Sequence, residues 1–126
     1  LKTPANENTE FGVARTVVNK LKKDIKYFVV EMGAYKKGEI KAICDIVKPS
    51  IGILTGIEPQ HLALFGSLEN IKKAKYELVD SLPKNGTAIF NYSNSYCVKL
   101  GEKTKDTKKK KRIQLHIYGI KSEPRN

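Results

Sequence analysis

Ile51-Gly52-Ile53-Leu54-Thr55 is a short, almost wholly apolar run. Its length suits a strand, and its lack of alternation predicts burial on both faces, as in a parallel sheet. The strand is expected to run on through Ile57 to His61. A helix is predicted next, from Ser67 to Leu82. Leu68, Ile71, Leu78, Val79 and Leu82 recur there at helical spacing. Ser67 is a good N-cap, Glu69 suits the first turn, and Pro83 and Gly86 close the segment. Thr87-Ala88-Ile89-Phe90 then reads as another strand, ending at Asn91. Strand, helix, strand is the unit from which parallel sheets are built. The expected fold is therefore three-layer α/β, with a largely parallel sheet and flanking helices.

The flanking sequence extends the pattern. Upstream, Tyr27-Phe28-Val29-Val30-Glu31-Met32 is a near-continuous apolar run and reads as a further buried strand. Ile40, Ile43, Cys44 and Val47 follow at helical spacing and stop before Pro49. Nearer the start, Phe11, Ala14, Val17, Val18 and Leu21 mark the stripe of a helix capped by Asn8 or Thr9. Downstream, Tyr96 to Leu100 reads as a short strand. Ile113, Leu115 and Ile117 alternate with Gln114, His116 and Tyr118, the period of a strand with one polar face.

The chain has 126 residues, enough for one domain or part of one. Its first residue is Leu1 and no signal peptide is present, so a piece of a longer protein is expected. No stretch approaches the ~20 apolar residues of a membrane span. Cys44 and Cys97 form no CxxC pattern, which argues against zinc and for reduced thiols in the cytoplasm. The net charge of +11 invites a nucleic-acid reading. However, Lys103 to Arg112 holds seven basic residues against one acidic, more than half of that excess. Such a block is expected to be a solvated loop, here residues 102–112, and not a nucleic-acid interface.

Chemistry concentrates where the predicted strands end. Ligands of open α/β sheets bind beyond the carboxyl ends of the strands, and Glu31, His61 and Asn91 stand there. A buried carboxylate at Glu31 needs a cation or a strong donor, and magnesium, which prefers oxygen ligands, is one such partner. The alternative is a solvated or lysine-paired glutamate. His61 is a ligand or a structural imidazole, and Glu58 nearby is an equal metal candidate. Lys75 falls within the apolar stripe of its helix, between Ile71 and Leu78. It snorkels, is paired, or takes up carbon dioxide as a carbamate and so becomes an extra carboxylate. Gly33-Ala34-Tyr35-Lys36-Lys37-Gly38 has the glycine spacing of a phosphate loop, but Glu39 and Ile40 stand where lysine and a hydroxyl are needed.

These residues bear a resemblance. Glu31-Met32-Gly33-Ala34, running on to Gly38-Glu39-Ile40, is similar to the E-[LM]-G-A-x-x-x-G-E-I segment of Mur ligases. His61-Leu62-Ala63-Leu64-Phe65-Gly66-Ser67 resembles their H-L-E-x-F-G-S, with Ala63 in place of the glutamate. Ala74-Lys75-Tyr76-Glu77-Leu78 and Leu82-Pro83 to Asn91 resemble A-K-x-E-[IL] and L-P-x-x-G-x-A-[VI]-x-N. Asn6, Asn8, Gly12 and Val13 match N-x-N-x-x-x-G-V. The resemblance implies part of the central, ATP-binding domain, spanning 1–126, of a three-domain cytoplasmic ligase in peptidoglycan precursor synthesis. The phosphate loop and the C-terminal domain lie elsewhere, so the fragment alone is expected to be inactive. The subgroup it is most similar to joins D-alanyl-D-alanine to UDP-N-acetylmuramoyl-tripeptide through an acyl-phosphate. By match, Glu31 and His61 are magnesium ligands, Lys75 is carbamylated, and Asn91 contacts the adenine of ATP. Asn6, Asn8 and Thr9 lie near the muramoyl substrate. The rivals are a Mur ligase with another amino-acid acceptor and a non-catalytic basic module that binds nucleic acid.

Overall fold

Among the described residues three parallel strands carry the fold: β1 (Ile51–Leu54), β2 (Thr87–Asn91) and β3 (Gln114–Tyr118). They lie in the order β1-β2-β3, with Ile53 opposite Ile89 and Ile89 opposite His116. Among the described residues five helices accompany them: α1 (Glu10–Lys20), α2 (Glu39–Val47), α3 (Leu62–Phe65), α4 (Leu68–Asp80) and α5 (Ser95–Lys111). The structure, a computed structural model, describes residues 1–59, 62–111 and 114–119, with the backbone alone for 105–111, 114 and 115. Three parallel strands with flanking helices are the α/β architecture that the strand–helix–strand pattern predicts.

The two crossovers place α4 and α5 on one face of the sheet. A Cβ on Gly52 of β1 would come within 2.9 Å of Leu78 on α4, and one on Gly101 of α5 within 3.4 Å of the Phe90 ring. Leu54, Ala88 and Phe90 from the strands pack there with Ile71, Ala74 and Val79 of α4 and Cys97 of α5. In this register Ile51, Ile53, Ile89 and Tyr118 point to the opposite face. Ile51 and Ile53 are 58% and 50% exposed. The expectation that this strand is buried on both faces is thus corrected: its burial alternates, because the core helices gather on one side.

Each helix has a local cause. Thr9 caps α1, its hydroxyl accepting from the Gly12 N–H, and Ser67 caps α4 by accepting from Asn70 N–H. The face by which α1 packs was misread. Gly12, Val13 and Thr16 are buried, whereas Phe11 and Val18 are 75% and 81% exposed. The preceding loop folds back so tightly that a Cβ on Gly12 would lie 3.0 Å from Glu7. The helix therefore turns its smallest residue toward that backbone. At the start of α2, Gly38 has φ 97 and no capping side chain of its own. Glu77 of α4 supplies one instead, accepting from Gly38 N–H at 2.7 Å and Lys41 N–H at 3.1 Å.

Four further expectations are corrected. Residues 27–32 are no regular strand. A single parallel bridge joins Val29 to Lys2, held by Val29 N–H to Leu1 O and Thr3 N–H to Val29 O, and Tyr27 and Val29 stay exposed. Residues 96–100 begin α5, because Asn94 caps it: its side-chain oxygen accepts from Cys97 N–H at 3.0 Å. Buried Cys97, Gly101 and Thr104 then recur on one helical face. The basic run, expected as a loop, continues α5 as far as Lys111. Lysine is a good helix former, and cations suit the carboxyl end of a helix. Beyond Leu54 the chain leaves the sheet and forms the short α3, so the expected strand does not reach position 61.

Candidate functional site

Glu31 follows the Val29 bridge and is exposed, so the burial argument for a cation does not apply to it. Its backbone N–H donates to Thr3 Oγ1 at 3.2 Å. Its Oε1 accepts from Asn8 Nδ2 at 3.3 Å, so an amide, and not a lysine, is its donor. Among the described residues no hydrogen bond reaches its second oxygen. A carboxylate with one oxygen held and the other open is a fitting hard-oxygen ligand for magnesium. Asn8 also accepts, through its backbone carbonyl, from Gly33 N–H at 2.8 Å. An open cleft of ≈ 460 Å³ adjoins this corner, lined by Thr9, Phe11, Gly33, Tyr35 and Glu39 among others. Glu39, which spoils the phosphate-loop pattern, accepts from the N–H groups of Tyr35 and Lys36 and so fixes that turn.

A second neighbourhood forms at the carboxyl ends of β1 and β2. The Asn91 side chain ties the two ends together, donating to Thr55 O at 2.8 Å and accepting from Ser93 N–H at 2.9 Å. Asn94 makes a similar tie, donating to Ile57 O at 3.2 Å. Cys97 lies beneath, its thiol 3.7 Å from Leu54 O. Burial pushes the Cys97 thiol up, against a backbone hydrogen bond from Asn91 and the positive charge of Lys75. Lys75 is half-buried on α4 and close enough for its charge to act on this thiol.

The structure therefore joins Asn8 to Glu31, and separately ties Asn91 to Thr55 at the ends of β1 and β2. Thr9 lines the cleft but spends its hydroxyl oxygen on capping α1. Asn6 is exposed at φ 65, with no hydrogen bond to Glu31. His61 lies outside the described residues, and among those described no group of three or more metal-ligating side chains assembles. Glu58 is exposed. Sequence reasoning missed Glu77, whose carboxylate fixes α2. The signal was there: Gly38 offers no side chain to the helix it precedes, so an acceptor had to come from elsewhere.

The whole chain, residues 1–126, matches the Mur ligase middle domain. It is 37% identical over 102 residues to the UDP-N-acetylmuramoyl-tripeptide--D-alanyl-D-alanine ligase of Synechocystis sp., covering 81% of this chain and 22% of that one. The ligase of the same name from Escherichia coli is 37% identical over 95 residues, 75% of this chain and 21% of its own length. Among solved structures, MurF from Acinetobacter baumannii superposes with a TM-score of 0.77 at 28% identity, covering 94% of this chain and 24% of that one. MurF ligase from Thermotoga maritima in complex with ADP gives 0.72 at 27% identity, covering 94% and 26%. The chain thus spans about a quarter or less of the length of these relatives. Matched from its first residue to its last, and folded as parallel strands with flanking helices, the chain belongs to the Mur ligase family.

Proposed function

We propose that this chain is part of the central domain of an ATP-dependent ligase that joins D-alanyl-D-alanine to UDP-N-acetylmuramoyl-tripeptide in the cytoplasm. The match to ligases of that name over most of the chain carries the reading. In this reaction the γ-phosphoryl group of ATP passes to the terminal carboxylate of the tripeptide, releasing ADP. The amine of the dipeptide then attacks the acyl carbon, loses a proton, and expels phosphate as the amide forms. Bound magnesium would offset negative charge on the phosphates.

The chain's own residues would serve that chemistry in distinct ways. Glu31 would hold a cation through its open oxygen, with His61 as a further ligand. The amine of Lys75 would add to carbon dioxide and lose a proton, giving a carbamate that acts as an additional oxygen donor. Asn91 has one amide hydrogen left after binding Thr55 O, and that hydrogen would reach adenine. Asn6 and Thr9 would border the muramoyl end of the substrate. Lys75 gives the test. In the full-length ligase, Lys75→Ala should lower kcat by about 100-fold or more, as loss of a charge-stabilising group does. Its unfolding temperature should stay near that of the wild type. Added short carboxylic acids should restore part of the rate. Wild-type turnover in that variant would end the carbamate assignment.

A further inference from the structure

We infer that Asn8 is a positioning residue for Glu31, and that Gly33 is glycine in order to seat the Asn8 amide. The inference rests on the reading of Glu31 as a magnesium ligand. Three contacts meet at this one side chain. Asn8 Nδ2 donates to Glu31 Oε1 at 3.3 Å. Its backbone carbonyl holds Gly33 N–H at 2.8 Å. Its amide lies flat against the Gly33 Cα, so that a Cβ there would be 2.9 Å from Asn8 Cγ and 3.0 Å from both Nδ2 and Oδ1.

The consequence is orientational. An exposed glutamate samples several rotamers, and each must be frozen out when it binds a cation. Hydrogen bonding one oxygen to a half-buried amide narrows that choice and leaves the other oxygen to face outward. Partners that orient a metal ligand in this way commonly contribute 10–100-fold to affinity. Gly33 has no positive φ, so backbone conformation does not explain it. The space taken by Asn8 does. Asn8 thus acts through Glu31 and not by touching the muramoyl group itself.

The test uses the full-length ligase and two readouts. The first is the magnesium concentration giving half of the maximal thermal stabilisation, which reports binding without turnover. The second is KM for the UDP-linked tripeptide. Asn8→Ala should raise the magnesium midpoint about 10-fold. It should leave that KM within about twofold of wild type, since no substrate contact is lost. Asn8→Ser, which is too short to reach Glu31, should do the same and serves if the alanine variant does not fold. An unchanged magnesium midpoint, or a rise confined to KM, overturns the inference. Glu31→Gln is the control. If it raises the midpoint and Asn8→Ala does not, the role of Asn8 alone fails. If Glu31→Gln leaves the midpoint unmoved, the magnesium reading fails and takes this inference with it.

Discussion

At the scale of single residues, the two cysteines show what burial does to chemistry. Burial raises the Cys44 thiol, against a side-chain hydrogen bond involving Ser81, and raises the Cys97 thiol in the same way. A thiol that keeps its proton is a poor nucleophile. Both should react with an aromatic disulfide reagent only at the rate at which the fold opens, and denaturant should speed that labelling. Rapid labelling of either in the native chain would contradict its burial. The sign for stability follows. With both values raised, the folded state holds these protons more tightly than the unfolded chain does. Their contribution is fully present below the ordinary value of 9.0 and is lost as pH rises through the window above it. Glu31 and Lys75 stood out in the sequence because a charged residue among apolar ones breaks a pattern. Asn8 stood out only as a possible cap and by the family match, because its hydrogen bond to Glu31 spans 23 positions and leaves no local pattern.

At the scale of elements, helices were easier to read than strands. The periods of α2 and α4 were legible because their apolar faces meet neighbours within the chain. The stripe of α1 was real, but Phe11, Val18 and Leu21 face outward and only Ala14 and Val17 are half-buried. Hydrophobic spacing gives a helix its apolar side without saying what that side meets. Tyr96-Cys97-Val98 misled through its β-favouring residues, and the cap at Asn94 outweighed them. The joint between α4 and α2 makes a quantitative prediction. Glu77→Ala leaves two N–H groups at the start of α2 without their acceptor. It should cost about 1–2 kcal/mol in denaturant unfolding, comparable to loss of a good N-cap. Ser67→Ala should cost about 1 kcal/mol by the same physics within α4. Indistinguishable midpoints for wild type and Glu77→Ala would show that α2 does not depend on that carboxylate.

At the scale of the molecule, parallel strands were foreseeable from strand–helix–strand order, but the covering of the sheet was not. Parallel sheets are ordinarily packed on both faces. Here Ile51 and Ile53 present apolar surface opposite the α4–α5 layer, and among the described residues β1 pairs on one edge only. Exposed apolar faces and open strand edges promote association. The isolated 126-residue chain should therefore scatter light more strongly as its concentration rises, and Ile53→Lys should suppress this. A monodisperse monomer at high concentration would refute it. α4 itself sits within two constraints at once. Tyr76 hydrogen-bonds Thr104 of α5 at 2.9 Å, while Glu77, one residue on and roughly 100° around the axis, grips α2. The helix is keyed to two neighbours, like a shaft with two teeth. It cannot roll about its own axis without slipping one of them, so an extra residue inserted before Ala74 has to be absorbed in the loop ahead of Ser67.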